Sequence, residues 1–344
     1  MKEMISKLIN REDLSTEEMT SVICRVMEGE ATPAQIGSFL TALRVKGETV
    51  EEIYGAVLGM RKKAVRICHK RQGLLDTCGT GGDGKNTFNI STAVAFVAVA
   101  AGIPVAKHGN RAVSSACGSA DVLEALGVKV TLKPEQVERC IERVGVGFLF
   151  APLFHSAMKY TVGPRRELGF RTIFNILGPL TNPAKTDYQL LGVFDRELLP
   201  VFAKVLAKLG VKRALIVHGA DGIDELSLSG VNHVFEVREG RVYDFYTLTP
   251  EEVGIPRAPL AALRGGSAKE NAVLIRRILS GEKGPQRNVV LLNSGAALYT
   301  SGQVESIAVG AKKAAEVIDS GRALAHLEEL ATLSNRLGEE SVCI

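Results

Sequence analysis

The sequence predicts an α/β protein in which a small all-helical N-terminal unit is joined to a large unit built around a central, mostly parallel sheet. Three observations predict it. From Met1 to about Arg71 apolar residues recur at helical spacing among charged ones, with no strand pattern between them. Beyond Gly73 short apolar strand candidates alternate with helical stretches, the pattern of parallel α/β units. The chain has 344 residues and is 46% apolar, enough to bury a substantial core in one large domain or two unequal ones.

Taken in order, the helical unit spans 1–71. Ser15 with Glu18 forms a capping box that opens one helix, and Thr32 before Pro33 is an N-cap followed by a first-turn proline. The large unit spans 72–344. Its expected elements begin with a strand at Leu74 to Thr77, a helix at Ser91 to Ala101 and a strand at Ile103 to Ala106. A helix at Ala120 to Leu126, closed by Gly127 as a left-handed cap, leads to a strand at Val128 to Leu132. Lys133 to Val144 reads as a helix with Pro134 at its start and Gly145 at its end, and Phe148 to Phe150 as the next strand. Later strands are expected at Leu215 to His218 and Val289 to Asn293, and later helices at Ser267 to Leu279 and Val304 to Asp319. No internal repeat or low-complexity tract interrupts this order.

Composition narrows the function. Lys and Arg exceed Asp and Glu by only four (42 against 38), too small a surplus for a general nucleic-acid surface, and the absence of tryptophan argues against base-stacking platforms. The expected partner is a small molecule, with no nucleic acid and no membrane. Six scattered cysteines without a C-x-x-C pair form neither a disulfide frame nor a zinc site. The first ten residues carry Lys2, Glu3 and Lys7, so they form no apolar signal core, and a cytoplasmic location is expected.

Two loops carry the chemistry. Asp76 to Lys85 places four glycines among six residues (Gly79, Gly81, Gly82 and Gly84) directly after a strand, so that backbone amides can converge on phosphate oxygens. A dinucleotide fingerprint is excluded because no helix starts at once and no acid follows the next strand; a Walker A loop is excluded because Asn86 stands where a Mg²⁺-binding hydroxyl belongs. Asn89-Ile90-Ser91-Thr92 then leads into a helix apolar on every face, hence a buried one, whose positive N-terminus favours an anion. Ser91 reads equally as its N-cap or as a ligand. The second loop, Lys107 to Ser119, opens where a strand ends and offers two cations, an imidazole, an amide and three hydroxyls, a set suited to phosphate and polar-ring recognition.

The segments Gly79 to Asp83 (GTGGD), Asn89 to Thr92 (NIST), Lys107 to Glu124 (KHGNRAVSSACGSADVLE) and Arg171 to Pro183 (RTIFNILGPLTNP) together resemble the anthranilate phosphoribosyltransferases, over nearly the whole chain. The resemblance implies a fold like that of nucleoside phosphorylases and a homodimer formed through the helical domain. That domain is rejoined by about 165–184 and hinges against the α/β domain. It implies Mg²⁺-dependent transfer of a 5-phosphoribosyl group from phosphoribosyl pyrophosphate to anthranilate, a step of tryptophan biosynthesis. The implied phosphoribosyl pyrophosphate site is Gly79, Gly82, Asp83, Thr87, Asn89, Ser91, Thr92, Lys107, His108, Gly109, Asn110, Ser115 and Ser119. Implied anthranilate contacts are Gly79, Asn110, His155 and Arg165, and implied Mg²⁺ ligands are Ser91, Asp224 and Glu225. Asp224 and Glu225 on their own would read as a solvated surface pair, and His108 and His155 equally as buried structural imidazoles. Arg165 offers a bidentate fork to a carboxylate, with Arg166 as the competing neighbour. Ala116-Cys117 departs from the Lys-Ser pair common in the family, and Pro164-Arg165-Arg166 from Val-Arg-Lys; neither removes an implied ligand. Pyrimidine-nucleoside phosphorylases share a similar second loop and differ from this chain in the first. Because the acceptor amine is neutral at pH 7, no general base is expected.

Overall fold

The computed structural model describes residues 1–112 and 116–340, with Asp244 described by its backbone alone. Four helices, α1 (Lys2–Ile9), α2 (Thr16–Met27), α3 (Pro33–Lys46) and α4 (Val50–Lys63), come first. The expected capping box forms at Ser15–Glu18, the expected N-cap Thr32 also makes a box with Gln35, and a third box forms at Thr49–Glu52. Glu52 is fully buried, where its carboxylate accepts from the Leu14 amide at 3.0 Å and pairs with Lys46 at 3.0 Å. That buried pair ties the start of α2 to the end of α3.

The α/β part then runs β1 (Leu75–Gly79), α5 (Ile90–Ala100), β2 (Val105–Gly109), α6 (Ser119–Ala125), α7 (Pro134–Val144), β3 (Val146–Phe150), α8 (Ala151–Phe154), α9 (Lys159–Leu168), α10 (Phe174–Leu177), β4 (Tyr188–Gly192), α11 (Leu198–Lys208), β5 (Arg213–His218), β6 (Asn232–Arg238), β7 (Arg241–Leu248), α12 (Ala268–Leu279), α13 (Pro285–Thr300), α14 (Ile307–Asp319) and α15 (Arg322–Glu340). The sheet order is β3-β2-β1-β4-β5-β6-β7, parallel as far as β5 and antiparallel thereafter. Strand order reverses between β1 and β4. From β1 the chain moves outward to β2 and β3, then returns to β4 on the other side of β1. A crevice outside the carboxyl ends of β1 and β4 is therefore where a parallel sheet of this kind binds its ligand.

Both faces of the sheet are covered. On β5 Leu215 and Val217 enter the core that contains α5, α13 and α15, while Ala214 and Ile216 enter the one that contains α2, α3, α4 and α11. Helix α5 runs through the first core with every residue from Thr92 to Ala100 buried, as its all-apolar sequence requires. Helix α9 packs back on α3 and α2, and α10 on α4, so the chain returns to the helical bundle before it enters β4.

Two expected strands are absent. Val289 to Asn293 lies inside α13, which Pro285 opens at its first turn; a short, wholly apolar run has no periodicity that separates a buried strand from a buried helix. Val128 to Leu132 buries Val128, Val130 and Leu132 in alternation, as a strand would, but Lys129 donates its amide to the Ser334 hydroxyl of α15 at 3.0 Å and no ladder forms. Strands β4, β6 and β7 had no counterpart in the sequence reading.

Candidate active site

The carboxyl ends of β1 and β4 are capped from above by the Asp224 loop. Gly79 and Gly192 are opposed in register at the ends of their strands. A Cβ on Gly192 would lie 1.6 Å from the Asp224 carbonyl oxygen, and one on Gly79 would lie 2.2 Å from Asp224 Oδ2. No side chain fits at either position, so glycine here is what lets the acid loop sit directly on the strand ends. The Gly81 amide donates to Asp224 Oδ2 at 2.7 Å, and the Ser91 amide, in the first turn of α5, donates to Glu225 Oε1 at 3.1 Å. The acid pair is thus hydrogen-bonded to the glycine loop and to α5, and it is not a solvated surface pair.

Beyond Gly81 the loop turns through the left-handed region at Gly81 (φ 67°), Gly82 (φ 74°) and Gly84 (φ 71°). Among the described residues the amides of Gly82, Asp83 and Gly84 have no acceptor, which leaves donors for an anion. Asp83 Oδ1 accepts from the Lys85 amide at 3.0 Å, and Asp83 also faces Asp224. Thr87 pairs with Arg264 in an isolated antiparallel bridge that closes the loop.

Ser91 is not the N-cap of α5; that position is held by Asn89, whose side chain caps nothing. Asn89 Nδ2 donates instead to the Cys117 carbonyl at 3.0 Å, and its Oδ1 accepts from Asn271 Nδ2 at 3.1 Å, so it couples α12 to the second loop. Thr92 is wholly buried and its hydroxyl has no partner among the described residues. Lys107, on β2, is buried and donates to the Thr77 carbonyl at 2.5 Å and to Ser91 Oγ at 3.1 Å. Gly109, Asn110 and Ser119 meet at the end of β2, where the Ser119 hydroxyl donates to the Asn110 carbonyl at 3.3 Å. Ser115 lies outside the described residues. Arg111, one of the two cations in this loop, is engaged elsewhere: it pairs with Asp121 at 3.0 Å and Glu124 at 2.6 Å.

The electrostatics concentrate on the acids. Burial, then the neighbouring Asp83 charge, pushes Asp224 up to about 7, and burial, then Asp224, pushes Glu225 up to about 8. Burial pulls Lys107 below the ordinary lysine range, opposed by Asp76. Burial raises Asp76 to about 6; its carboxylate accepts from Asn182 Nδ2 at 2.8 Å and from the His108 amide at 3.3 Å. Crowded carboxylates with a hydroxyl nearby are hard oxygen donors, the chemistry of a divalent-cation site that draws further ligands from an anionic substrate. Asp224, Glu225 and Ser91 therefore fit Mg²⁺ by type.

The residues implied for the acceptor have different surroundings. Arg165, in the last turn of α9, is half-buried, lies 5.6 Å from the centre of the Phe174 ring and has no ion pair or side-chain hydrogen bond among the described residues. Burial pulls it below the ordinary arginine range, while Arg166 is exposed. Of the two neighbours, Arg165 is the half-buried one. His108 and His155 are both buried with ring centres 5.2 Å apart. Burial pulls them to about 3 and about 4, so both are neutral. His155 Nε2 bonds to the Thr181 carbonyl at 3.1 Å and His108 Nδ1 to the Gly178 carbonyl at 3.3 Å, each fixed by the segment between α10 and β4.

Two residues escaped the sequence reading although the Arg171 to Pro183 motif contains them. Arg171 donates to the Gly82 carbonyl while its guanidinium lies 4.0 Å from the centre of the Phe194 ring. Asn182 bridges Asp76 and the Ala106 carbonyl, each at 2.8 Å. An exposed arginine and a buried asparagine look ordinary in sequence.

Residues 71–324 match the glycosyl transferase family, a/b domain, and residues 2–64 the glycosyl transferase family, helical bundle domain. The anthranilate phosphoribosyltransferase of Acetivibrio thermocellus is 57% identical over 335 residues, which cover 97% of each chain. The chain belongs to the anthranilate phosphoribosyltransferases. Among solved anthranilate phosphoribosyltransferases, the Thermus thermophilus enzyme is similar with a TM-score of 0.92 at 49% identity, covering 96% of this chain and 99% of that one. The Saccharomyces cerevisiae enzyme, in complex with PRPP and Mg, is similar with a TM-score of 0.90 at 30% identity, covering 97% and 98%. Members of this family are pentosyl-transferring enzymes of tryptophan biosynthesis, and the helical bundle followed by an α/β part is their shared architecture.

Proposed function

We propose that the chain transfers the 5-phosphoribosyl group of phosphoribosyl pyrophosphate to the amine of anthranilate, giving N-(5-phosphoribosyl)anthranilate and diphosphate. The observation that carries this reading is the seating of the Asp224 loop on Gly79 and Gly192. It sets two acids, the glycine-loop amides and the N-terminus of α5 around one crevice at the strand-order reversal.

The amides of Gly82, Asp83 and Gly84 hold the diphosphate as its bond to the ribose C1 lengthens, and charge accumulates on the leaving oxygens. Asp224, Glu225 and Ser91 would hold Mg²⁺, which when bound supplies charge neutralisation for the leaving group. Lys107 orients the Ser91 hydroxyl. Arg165 pairs with the anthranilate carboxylate, and Asn110 and Gly79 line the approach of the amine to C1. The two histidines are neutral and fixed by backbone carbonyls, so they shape the acceptor side and take no proton. The acceptor amine attacks as the free base and needs no general base. Arg171, which joins the 165–184 segment to the Gly82 carbonyl, supports a closing motion of the helical unit, with that segment, toward the crevice; closure would exclude water from the oxocarbenium-like ribose.

A homodimer through the helical domain is supported by an apolar groove of about 480 Å³ between α1 and α3, where Ile9 and Val45 are 68% and 70% exposed. No helix is long and apolar enough to cross a membrane among the described residues. Incubation with Mg²⁺, phosphoribosyl pyrophosphate and anthranilate should extinguish anthranilate fluorescence, and omission of either Mg²⁺ or the donor should preserve it. Fluorescence that persists in the full mixture would refute the proposal.

A further inference from the structure

The segment that follows the acid pair is buried backbone without a sheet partner. Leu226, Ser227 and Leu228 are each fully buried between β5 and β6, where an unpaired amide or carbonyl is costly. Two asparagine side chains supply the missing partners, one remote in sequence and one five residues on. Asn293, in the middle of α13 and fully buried, accepts from the Leu226 amide through Oδ1 at 3.0 Å and donates through Nδ2 to the Leu226 carbonyl at 2.9 Å. Its second Nδ2 bond goes to the Val289 carbonyl one turn back at 2.9 Å, which fixes the rotamer of its amide. Asn232, the first residue of β6 and also fully buried, grips Ser227 in the same way: Oδ1 accepts the Ser227 amide at 2.6 Å and Nδ2 donates to the Ser227 carbonyl at 3.1 Å and the Leu248 carbonyl at 3.0 Å. Each side chain thus mimics one rung of a β ladder, and the two rungs act on consecutive residues.

The first rung has a consequence for the site. The Leu226 amide belongs to the peptide unit that begins at Glu225, so Asn293 fixes the backbone torsion from which the Glu225 carboxylate projects. Asp224 and Glu225 repel one another in a desolvated crevice, and a loop free to relax would let them diverge. On the other side Asp224 rests against Gly192 and can move only away from the strand ends. We propose that Asn293, assisted by Asn232, is a positioning residue that holds Asp224 and Glu225 converged on one cation position, an assignment that rests on the Mg²⁺ reading given above. Loss of a partner of this kind, outside the ligands themselves, typically costs about 10- to 100-fold in metal affinity.

The test titrates Mg²⁺ into the full-length protein at fixed phosphoribosyl pyrophosphate and reads two quantities: the cation-induced rise in melting temperature, and the Mg²⁺ concentration for half-maximal turnover. Asn293→Asp keeps the shape and the acceptor but loses the donor to the Leu226 carbonyl; Asn232→Ser loosens the second rung and serves if the first variant does not fold. The expected result is an increase of about 10- to 100-fold in the Mg²⁺ concentration required by both readouts for Asn293→Asp, with a smaller increase for Asn232→Ser. The KM for anthranilate should not change, and excess Mg²⁺ should restore turnover. Folded variants that melt earlier yet match the wild-type Mg²⁺ titration would make both asparagines structural only and overturn the inference alone. A wild-type protein indifferent to Mg²⁺ would remove the metal reading, and the inference with it.

Discussion

The two sides of the crevice are built on opposite principles. On the side of β1, β2 and β5 three charged side chains are already paired: Asp224 with the Gly81 amide, Glu225 with the Ser91 amide, and Lys107 with Thr77 and Ser91. On the side of α9 and the segment before β4 Arg165 has no ion pair among the described residues, and two histidines are held neutral. The first side is a preorganised charge network whose geometry costs nothing further at the moment of reaction. The second is a half-buried cation, which in the proposed function pairs with the acceptor's carboxylate. Donor affinity should therefore depend on loop geometry, and acceptor affinity on one guanidinium.

Neutralising the acids puts this division under the greatest strain. Asp224→Asn combined with Glu225→Gln should lower Mg²⁺-dependent kcat/KM by about 10³-fold or more, and leave anthranilate affinity, measured by fluorescence titration, nearly intact. Next is a change that touches no charge. Gly192→Ala would place its Cβ 1.6 Å from the Asp224 carbonyl oxygen, so the acid loop must lift. Turnover should then fall about 100-fold in steady-state assays, since a displacement near ~1 Å is enough for a loss of that size. On the acceptor side Arg165→Ala should raise the anthranilate KM about 10- to 100-fold while the donor KM changes little, as expected for one lost charge-assisted pair. An equal rise in both constants would erase the distinction between the sides.

The smallest effect concerns pH. His108 and His155 sit at about 3 and about 4 when folded, below their ordinary 6.5, because burial disfavours the imidazolium. An unfolded chain binds those protons more readily, so their contribution to stability is complete above about pH 6.5 and is lost as the pH falls toward 4. Melting temperatures recorded between about pH 7 and 4 should therefore drop, and His108→Gln with His155→Gln should flatten the curve. A slope unchanged in the double variant would show that other groups govern it.

Much of the molecule was legible beforehand. The capping box at Ser15, the N-cap at Thr32, the all-apolar α5 and the cap at Gly145, with φ of 84°, follow from local rules that tertiary context did not override. Other elements were illegible for identifiable reasons. The β6–β7 hairpin turns at Glu239-Gly240, both with positive φ, and a Glu in the first place conceals the Asn-Gly or Asp-Gly signal of such a turn. The run at Val289 to Asn293 is apolar whichever way it folds. Val128 to Leu132 alternates like a strand in sequence and in burial, yet Ser334 of α15, far along the chain, takes the Lys129 amide and no ladder forms.

The residues alone settled the local part: helices with their caps, two glycine-bearing loops after strands, and a motif set specific enough to name a family. Convergence was left to the folded chain. Asp224 and Glu225 lie far along the sequence from Gly79 and Ser91, and no spacing rule joins them. They meet because parallel strands align their carboxyl ends, Gly79 and Gly192 leave room above those ends, and buried amides such as Asn293 satisfy the backbone that carries the acids. Hydrogen-bonding demand and steric room act through space, so the roles of Asn182, Asn232, Asn271 and Asn293 stay silent until the chain has folded.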